Sequence, residues 1–422
     1  MEYKPTAHKL SNGVTVILDS MDLETVAVKI RFTVGSRDET PDLYGITHFC
    51  EHMLVKGTKN FPSRKELKYY IEDHGGTFNA STSSNSLQIY GRIIAENTND
   101  LLTVFADMLH NSLFEPGKIE IERNVILDES RRAHGSNSRK FADLIQTSLL
   151  DFSAFRNLGP DENIKSFTRE QMLDWMQKHL SAKNCTIGIS GRIDDKDALL
   201  KQLENLFAFL PNRDVEKHRF FKYTPCDKFV PEPSLQNVWI NILFPYLRED
   251  NYENLRDNIA ESKFHKYLVQ ELVEVVRQQN GLVYGVGMAA YANEDNGIHG
   301  IDTETSSKNL ERAVALIAQT AYRVYNNDKI TESVIKRFYN HHRLSDADFL
   351  ESATRRCDIL VNHWSDFGTI YDFRQIQEFD KSITADDVIK CSKGFFDGSM
   401  SIITFGAEHD VDLRKVWIEN FK

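Results

Sequence analysis

Residues 48–52 of this 422-residue chain read His-Phe-Cys-Glu-His. On a helix turning about 100° per residue, His48 and His52 lie one turn apart on the same side. Two neutral imidazoles so placed can share one Zn²⁺, a metal that favours four-coordinate sites of nitrogen, sulfur and oxygen ligands. Glu51 borders that face. It can take a proton from a water whose pKa the metal has lowered towards neutrality. Two histidines leave such a site short of a third protein ligand. The stretch after Pro116, PGKIEIERNVILDESRRA, reads as a helix and supplies Glu120, Glu122, Asp128 and Glu129. Glu122 and Glu129 are seven apart and share a helix face. A carboxylate there can close the site, with its neighbour one or two turns away as support. Taken alone, each segment is also compatible with an ordinary solvated helix face.

The elements that must hold these residues alternate between strands and helices. In the first half, strands fit Thr15–Asp19, Val26–Val34, Thr77–Ser83, Ser86–Ile94 and Cys185–Ser190. Helices fit Tyr44–Val55, Arg64–His74, Thr98–Asn111, Pro116–Ala133 and Thr168–His179. Strand pairs adjoin and helices cluster between them, which predicts an antiparallel α+β layer rather than a doubly wound parallel sheet. No GxGxxG or GxxxxGK[ST] occurs, removing the simplest nucleotide-binding readings.

The chain also repeats itself. VAVKIRF (26–32) and VWINILF (238–244) both alternate like half-buried strands, at an offset of 238 − 26 = 212. FTREQMLDWMQKHLSAKNCTIGISG (167–191) and ITADDVIKCSKGFFDGSMSIITFG (383–406) each read as a capped helix, a loop and a strand ending in glycine, at an offset of 383 − 167 = 216. Near-equal offsets point to a duplicated unit of about 210 residues. The proline-rich polar stretch 211–233 then reads as a linker between a first domain, 1–210, and a second, 234–422.

Composition narrows the class. Hydrophobic residues make up 41% and charged residues 27%, as expected of a folded globular chain. The net charge of −11 argues against a nucleic-acid partner. No run of about 18 apolar residues predicts a membrane span. The start, MEYKPTAHKLSNG, shows no secretory signal pattern. Cys50, Cys185, Cys226, Cys357 and Cys391 are scattered and odd in number. Free thiols in a reducing, cytoplasmic setting are therefore expected.

The segment GITHFCEHMLVKGTKNFPSRKEL (45–67) resembles the inverted-zincin metallopeptidases, the family of pitrilysin, insulin-degrading enzyme and the mitochondrial processing peptidase. That family places its third zinc ligand about 77 residues after the second histidine, and 52 + 77 = 129. The resemblance thus implies His48, His52 and Glu129 as metal ligands and Glu51 as the catalytic base. It implies Glu122, seven residues before Glu129, as the supporting glutamate. GGTFNAST (75–82) is similar to the family's substrate-binding edge strand, which implies peptide contacts at Asn79 and Ala80. Arg277 and Tyr284 match an Arg and Tyr pair that approaches substrate carbonyls. Gln278 departs from the Glu that usually follows the Arg. The resemblance covers essentially the whole chain and implies two homologous domains forming half of a clamshell. Two chains would close into a dimer around a chamber that takes peptides or unfolded polypeptides. Both residue sets are present here, which favours a homodimer over a heterodimer with a related subunit. The second half has one histidine in its matching helix, His265, and no His-x-x-Glu-His, so one zinc per chain is expected. The competing expectation is a non-catalytic or partner subunit that keeps the fold.

Overall fold

The computed structural model describes residues 3–150, 152–153, 156–216, 223–246, 255–292, 297–326, 330–396 and 399–422. The chain forms two compact units. The first comprises Met1–Arg139, Ala154–Arg219 and Ser345–Tyr371; the second comprises Lys140–Ser153, Phe220–Leu344 and Asp372–Lys422.

In the first unit β1 (Thr6–Lys9), β2 (Thr15–Ser20), β3 (Thr25–Phe32), β4 (Thr77–Thr82), β5 (Leu87–Ile94) and β6 (Cys185–Gly191) form a sheet in the order β1-β2-β6-β3-β5-β4. In the second, β7 (Lys228–Pro231), β8 (Asn237–Tyr246), β9 (Val286–Ala292), β10 (Gly297–Ser306) and β11 (Ser401–Gly406) are ordered β7-β11-β8-β10-β9. The second order repeats the first from β2 onward. One parallel pair, β2 with β6 or β7 with β11, is followed by antiparallel neighbours in both. The registers agree as well. Val26 lies opposite Gly191, and Val238 lies opposite Gly406. Both glycines adopt left-handed backbone, at φ 135° and 132°. A Cβ on either would sit 2.2 Å from a carbonyl oxygen, of Thr25 or Asn237. The duplicated unit and its largely antiparallel α+β sheets are as the sequence implied.

The helices are α1 (Ile46–Leu54), α2 (Arg64–Asp73), α3 (Thr98–Asn111), α4 (Pro116–His134), α5 (Asn137–Leu149), α6 (Asp161–Ser166), α7 (Arg169–His179) and α8 (Lys196–Phe207), then α9 (Leu255–Leu272), α10 (Leu310–Tyr325), α11 (Glu332–Glu351), α12 (Ala353–Phe367), α13 (Phe373–Ser382), α14 (Ala385–Phe395) and α15 (Leu413–Asn420). Thr168 with Gln171 and Thr384 with Asp387 form matching capping boxes on α7 and α14. None of the described helices is long and apolar enough to cross a membrane.

Two differences from the sequence reading have a common cause. β3 was expected to be half-buried, yet its residues from Val26 to Phe32 are all buried. Val26, Val28, Ile30 and Phe32 face the main core of the unit. The other face is covered by α12, which the sequence places in the second half. Lys29 pairs with Asp358 and donates to Asn362 Oδ1 at 3.0 Å, while Arg31 donates to Asp366 Oδ1 at 2.9 Å. Asp358, Asn362 and Asp366 recur every four residues and so present one helix face. α5, from the first half, serves the second sheet in the same way. Its Phe141, Ile145 and Leu149 join Leu243, Ile298, Ile403 and Phe405. The compact units are therefore discontinuous where the sequence reading made one cut. The expected linker 211–233, of which 217–222 lie outside the described residues, contains β7. Pro231 is tolerated there because β7 lies at a sheet edge.

Arg356 of α12 and Asp19 of β2 are both fully buried, with Arg356 Nε donating to Asp19 Oδ2 at 2.6 Å. Arg356→Ala leaves that carboxylate uncompensated and is expected to destabilise the first unit by about 3–5 kcal/mol. Asp19→Leu with Arg356→Met should recover most of the loss. Urea unfolding of the three proteins measures both effects; a cost below about 1 kcal/mol for the single change would refute this assignment.

Candidate metal centre

α1 carries the histidine motif, and its placement is fixed by its buried face and by its N-terminal end. Ile46, Thr47, Phe49, Cys50, Met53 and Leu54 are buried, which leaves His48, Glu51 and His52 on the remaining side. The chain enters the helix through Gly45 at φ 96°. A Cβ there would lie 2.6 Å from the carbonyl oxygen of Leu158. The Glu39 carboxylate accepts from the backbone N–H of Gly45 at 2.8 Å and of Thr47 at 2.9 Å, satisfying donors that a helix start leaves free. Burial pushes the Glu39 carboxyl up to about 7. Nothing in the residue pattern around position 39 marked it as an anchor of the motif.

α4 supplies the carboxylates. Its Ile119, Glu122, Ile126, Ser130 and Ala133 are buried along one face. Glu129 Oε2 lies 3.8 Å from His48 Nε2 and 3.8 Å from His52 Nε2. The two imidazole rings are 4.6 Å apart and meet edge to face at 74°. His48, His52 and Glu129 each offer one ligand atom to a common point. Of the acids weighed on this helix, Glu129 is the one that reaches the histidines' Nε2 atoms.

The chemistry of the donors suits a metal. Burial and the neighbouring His52 lower the His48 imidazole to about 3, so it is neutral and its Nε2 lone pair is available. His52 Nδ1 lies 3.0 Å from Glu122 Oε2. A proton on Nδ1 donates to that oxygen and leaves Nε2 as the acceptor facing Glu129. Burial works against the Glu122 charge, but hydrogen bonds from His52 and Lys56 hold its carboxyl below the usual range. Lys56, just past the end of α1, pairs with Glu122 Oε1; nothing in the residue pattern marked it. Two imidazoles and a carboxylate form the nitrogen and oxygen set that zinc takes in open sites.

Glu51 lies beside this cluster. Burial raises its carboxyl above the ordinary value, against hydrogen bonding from Thr82 at the end of β4. Glu51 and His52 line a cleft of about 390 Å³ with Lys56, Arg64, Lys68, Phe78 and Asn79. Asn79 is exposed and Ala80 is buried on β4, which ends the sheet and pairs only with β5 among the described strands. Cys50 is fully buried beneath the motif and burial holds its thiol protonated, the behaviour of a small core residue.

Arg277 and Tyr284 belong to the second unit. Arg277 sits in a π-helical turn, Val273–Gln279, continuous with α9. Its guanidinium carbon lies 5.5 Å from the centre of the Tyr284 ring. Tyr284 is 81% exposed, so its hydroxyl is free to meet a ligand.

Glu122→Ala removes the acceptor that orients His52. It is expected to weaken zinc binding about 10–100-fold without displacing the ligands themselves. Competition against a chromogenic chelator measures this, and unchanged affinity would show that His52 needs no such partner.

The model of the family described as insulinase (peptidase family M16) matches residues 14–157, and that of the peptidase M16 inactive domain matches 166–338. An uncharacterised zinc protease of Rickettsia bellii is 27% identical over 407 residues, covering 94% of this chain and 96% of its own. A probable mitochondrial-processing peptidase subunit beta of Arabidopsis thaliana is 34% identical over 204 residues, which span 48% of this chain and 38% of that one. In fold, the chain is similar to a protease from Helicobacter pylori, with a TM-score of 0.81, 17% identity, and coverage of 96% of this chain and 99% of the other. With family models matching both halves and the metal-ligand cluster lying within the first, this chain belongs to peptidase family M16, the insulinase family.

Proposed function

We propose that the chain is a zinc-dependent endopeptidase that hydrolyses peptides or unfolded polypeptides. The observation that carries this reading is the approach of His48 Nε2 and His52 Nε2 to one oxygen of Glu129, with Glu51 beside them at the cleft. His48, His52 and Glu129 hold one catalytic zinc per chain. When bound, zinc lowers the pKa of water and polarises a carbonyl oxygen.

The remaining work falls to the protein's own groups. An extended peptide adds to the free edge of β4, with Asn79 and the backbone of Ala80 as its partners. Glu51 takes the proton of the attacking water on a carboxylate oxygen and later delivers it to the leaving amine nitrogen. Its burial suits both tasks, because a raised carboxyl is a stronger base than an exposed one and holds the proton between steps. Glu122 keeps the proton on His52 Nδ1. Tyr284 and Arg277 donate to substrate carbonyls as negative charge develops. Two chains enclose the substrate in a homodimeric chamber, which excludes folded proteins. The five unpaired cysteines support a cytoplasmic location.

The alternative, a non-catalytic or partner subunit, has no need of ligands and base together. His48, Glu51, His52 and Glu129 are all present, which favours the enzyme.

Glu51→Gln keeps the ligand set and is expected to lower kcat by at least about 10²–10⁴-fold at unchanged zinc content. A fluorogenic peptide assay with parallel metal analysis decides it; undiminished hydrolysis would sink the mechanism. Tyr284→Phe should lower kcat about 10–10³-fold, with zinc content again unchanged. Wild-type kcat in that variant would remove Tyr284 from the reaction.

A further inference from the structure

The second unit holds another group of converging ligand atoms. Glu261 and His265 lie on α9, and His299 lies on β10. Glu261 Oε1 is 3.4 Å from His265 Nε2 and 3.2 Å from His299 Nδ1. All three ligand atoms lie within 4.8 Å of one another. The imidazole rings are 5.3 Å apart and meet edge to face at 83°, as His48 and His52 do in the first unit. Ligands at about 2.0–2.2 Å from a tetrahedral ion stand about 3.3–3.6 Å apart, and the two measured separations lie close to that range.

The placement is a second, independent observation. α9 follows β8 and packs on β9 as α1 follows β3 and packs on β4. Between the halves the strands repeat at an offset of 238 − 26 = 212. One residue beyond that offset, at 213, Glu261 falls opposite His48 and His265 opposite His52. The same helix surface thus again offers two ligand atoms one turn apart. The third ligand has a different origin, a strand histidine instead of a glutamate on a following helix. His299 is buried, with its ring centre 4.2 Å from that of Phe395 and tilted by 33°, and Phe395 also flanks His265. Burial lowers the His299 imidazole and so keeps it neutral.

We propose that Glu261, His265 and His299 form a second divalent-metal site, suited to Zn²⁺ or Co²⁺ and separate from the peptidase centre. The expectation of one zinc per chain rested on the His-x-x-Glu-His pattern, which has no means of registering a histidine supplied by a strand. Position 264, at the same shift from Glu51, is a fully buried phenylalanine, so the helix offers no carboxylate at the place where α1 carries Glu51. A metal there ties α9 to the sheet and stabilises the second unit by mass action.

Full-length protein carrying His48→Ala and His52→Ala, stripped with chelator and titrated with Co²⁺, tests the proposal without reference to catalysis. One cobalt per chain with the visible absorption of four-coordinate cobalt is expected. Adding His265→Ala and Glu261→Gln should abolish it while far-ultraviolet circular dichroism stays as in the parent. In the otherwise unaltered chain, metal analysis at saturating zinc should fall from two ions to one on His265→Ala. The proposal is overturned if the parent variant, folded by circular dichroism, binds no cobalt stoichiometrically. It is equally overturned if binding survives the loss of Glu261 and His265. Neither result bears on whether His48, His52 and Glu129 support peptidase activity.

Discussion

The hydrogen bond between His52 Nδ1 and Glu122 decides how the site on the first unit is built. An imidazole can present either nitrogen, and a metal site needs one particular nitrogen turned inward. With a proton on Nδ1, the buried Glu122 carboxylate 3.0 Å away accepts it, and Nε2 is left turned towards Glu129. The same helix face supplies both acids, seven residues apart, so one packing event between α1 and α4 brings Glu129 and Glu122 to the two histidines together. Lys56 completes the arrangement by compensating the buried charge on Glu122. An isolated carboxylate at that depth would neutralise instead.

Around this interaction, the fold makes the histidine helix hard to move. Glu39 holds its first turn, Gly45 permits the entry angle, and six apolar or small side chains bury its inner face. The sheet beneath is covered on both faces. Lys29 and Arg31 point away from the main core and meet acids on α12. Close approach there is allowed by Gly188, where a Cβ would lie 2.2 Å from Val361 Cγ2. Helices exchanged between sequence halves thus do for each sheet what a local helix does not. The duplication explains why both sheets present an outer face that needs such a cover.

The two units show how one supersecondary plan supports different chemistry. β3 and β8, β6 and β11, α7 and α14 match in order, register and capping. The helix that follows the first of these strands has diverged. Glu51 is replaced in position by Phe264, and Cys50 by Lys263, which is buried and paired with Asp380. A carboxylate has been exchanged for core packing while the face that carries Glu261 and His265 stays polar. The Arg277 and Tyr284 pair, in a π-helical turn and the loop after it, belongs to this second unit. π-Helical turns recur at functional positions because they redirect side chains from a regular helix.

Sequence alone determined the local facts. Periodicity of two and of 3.6 located β2 to β6 and helices α1 to α4 and α7 to within two or three residues, and turn and cap residues marked their ends, while β1, α5, α6 and α8 went unread. The pattern His-x-x-Glu-His put two candidate ligands and a carboxylate on one helix, because residues three and four apart must share a side. The seven-residue spacing of Glu122 and Glu129 put both on one face of another helix. Which of four acids reached the histidines was left to family spacing, since periodicity says nothing about the distance between two helices. Tertiary structure decided that distance. It also decided the cover over β3, because α12 lies more than 300 residues downstream of β3. Glu39, Lys56 and His299 were invisible for the same reason. Each matters through a partner brought close only when separate elements pack, and a linear pattern records spacing along the chain, not contact across it.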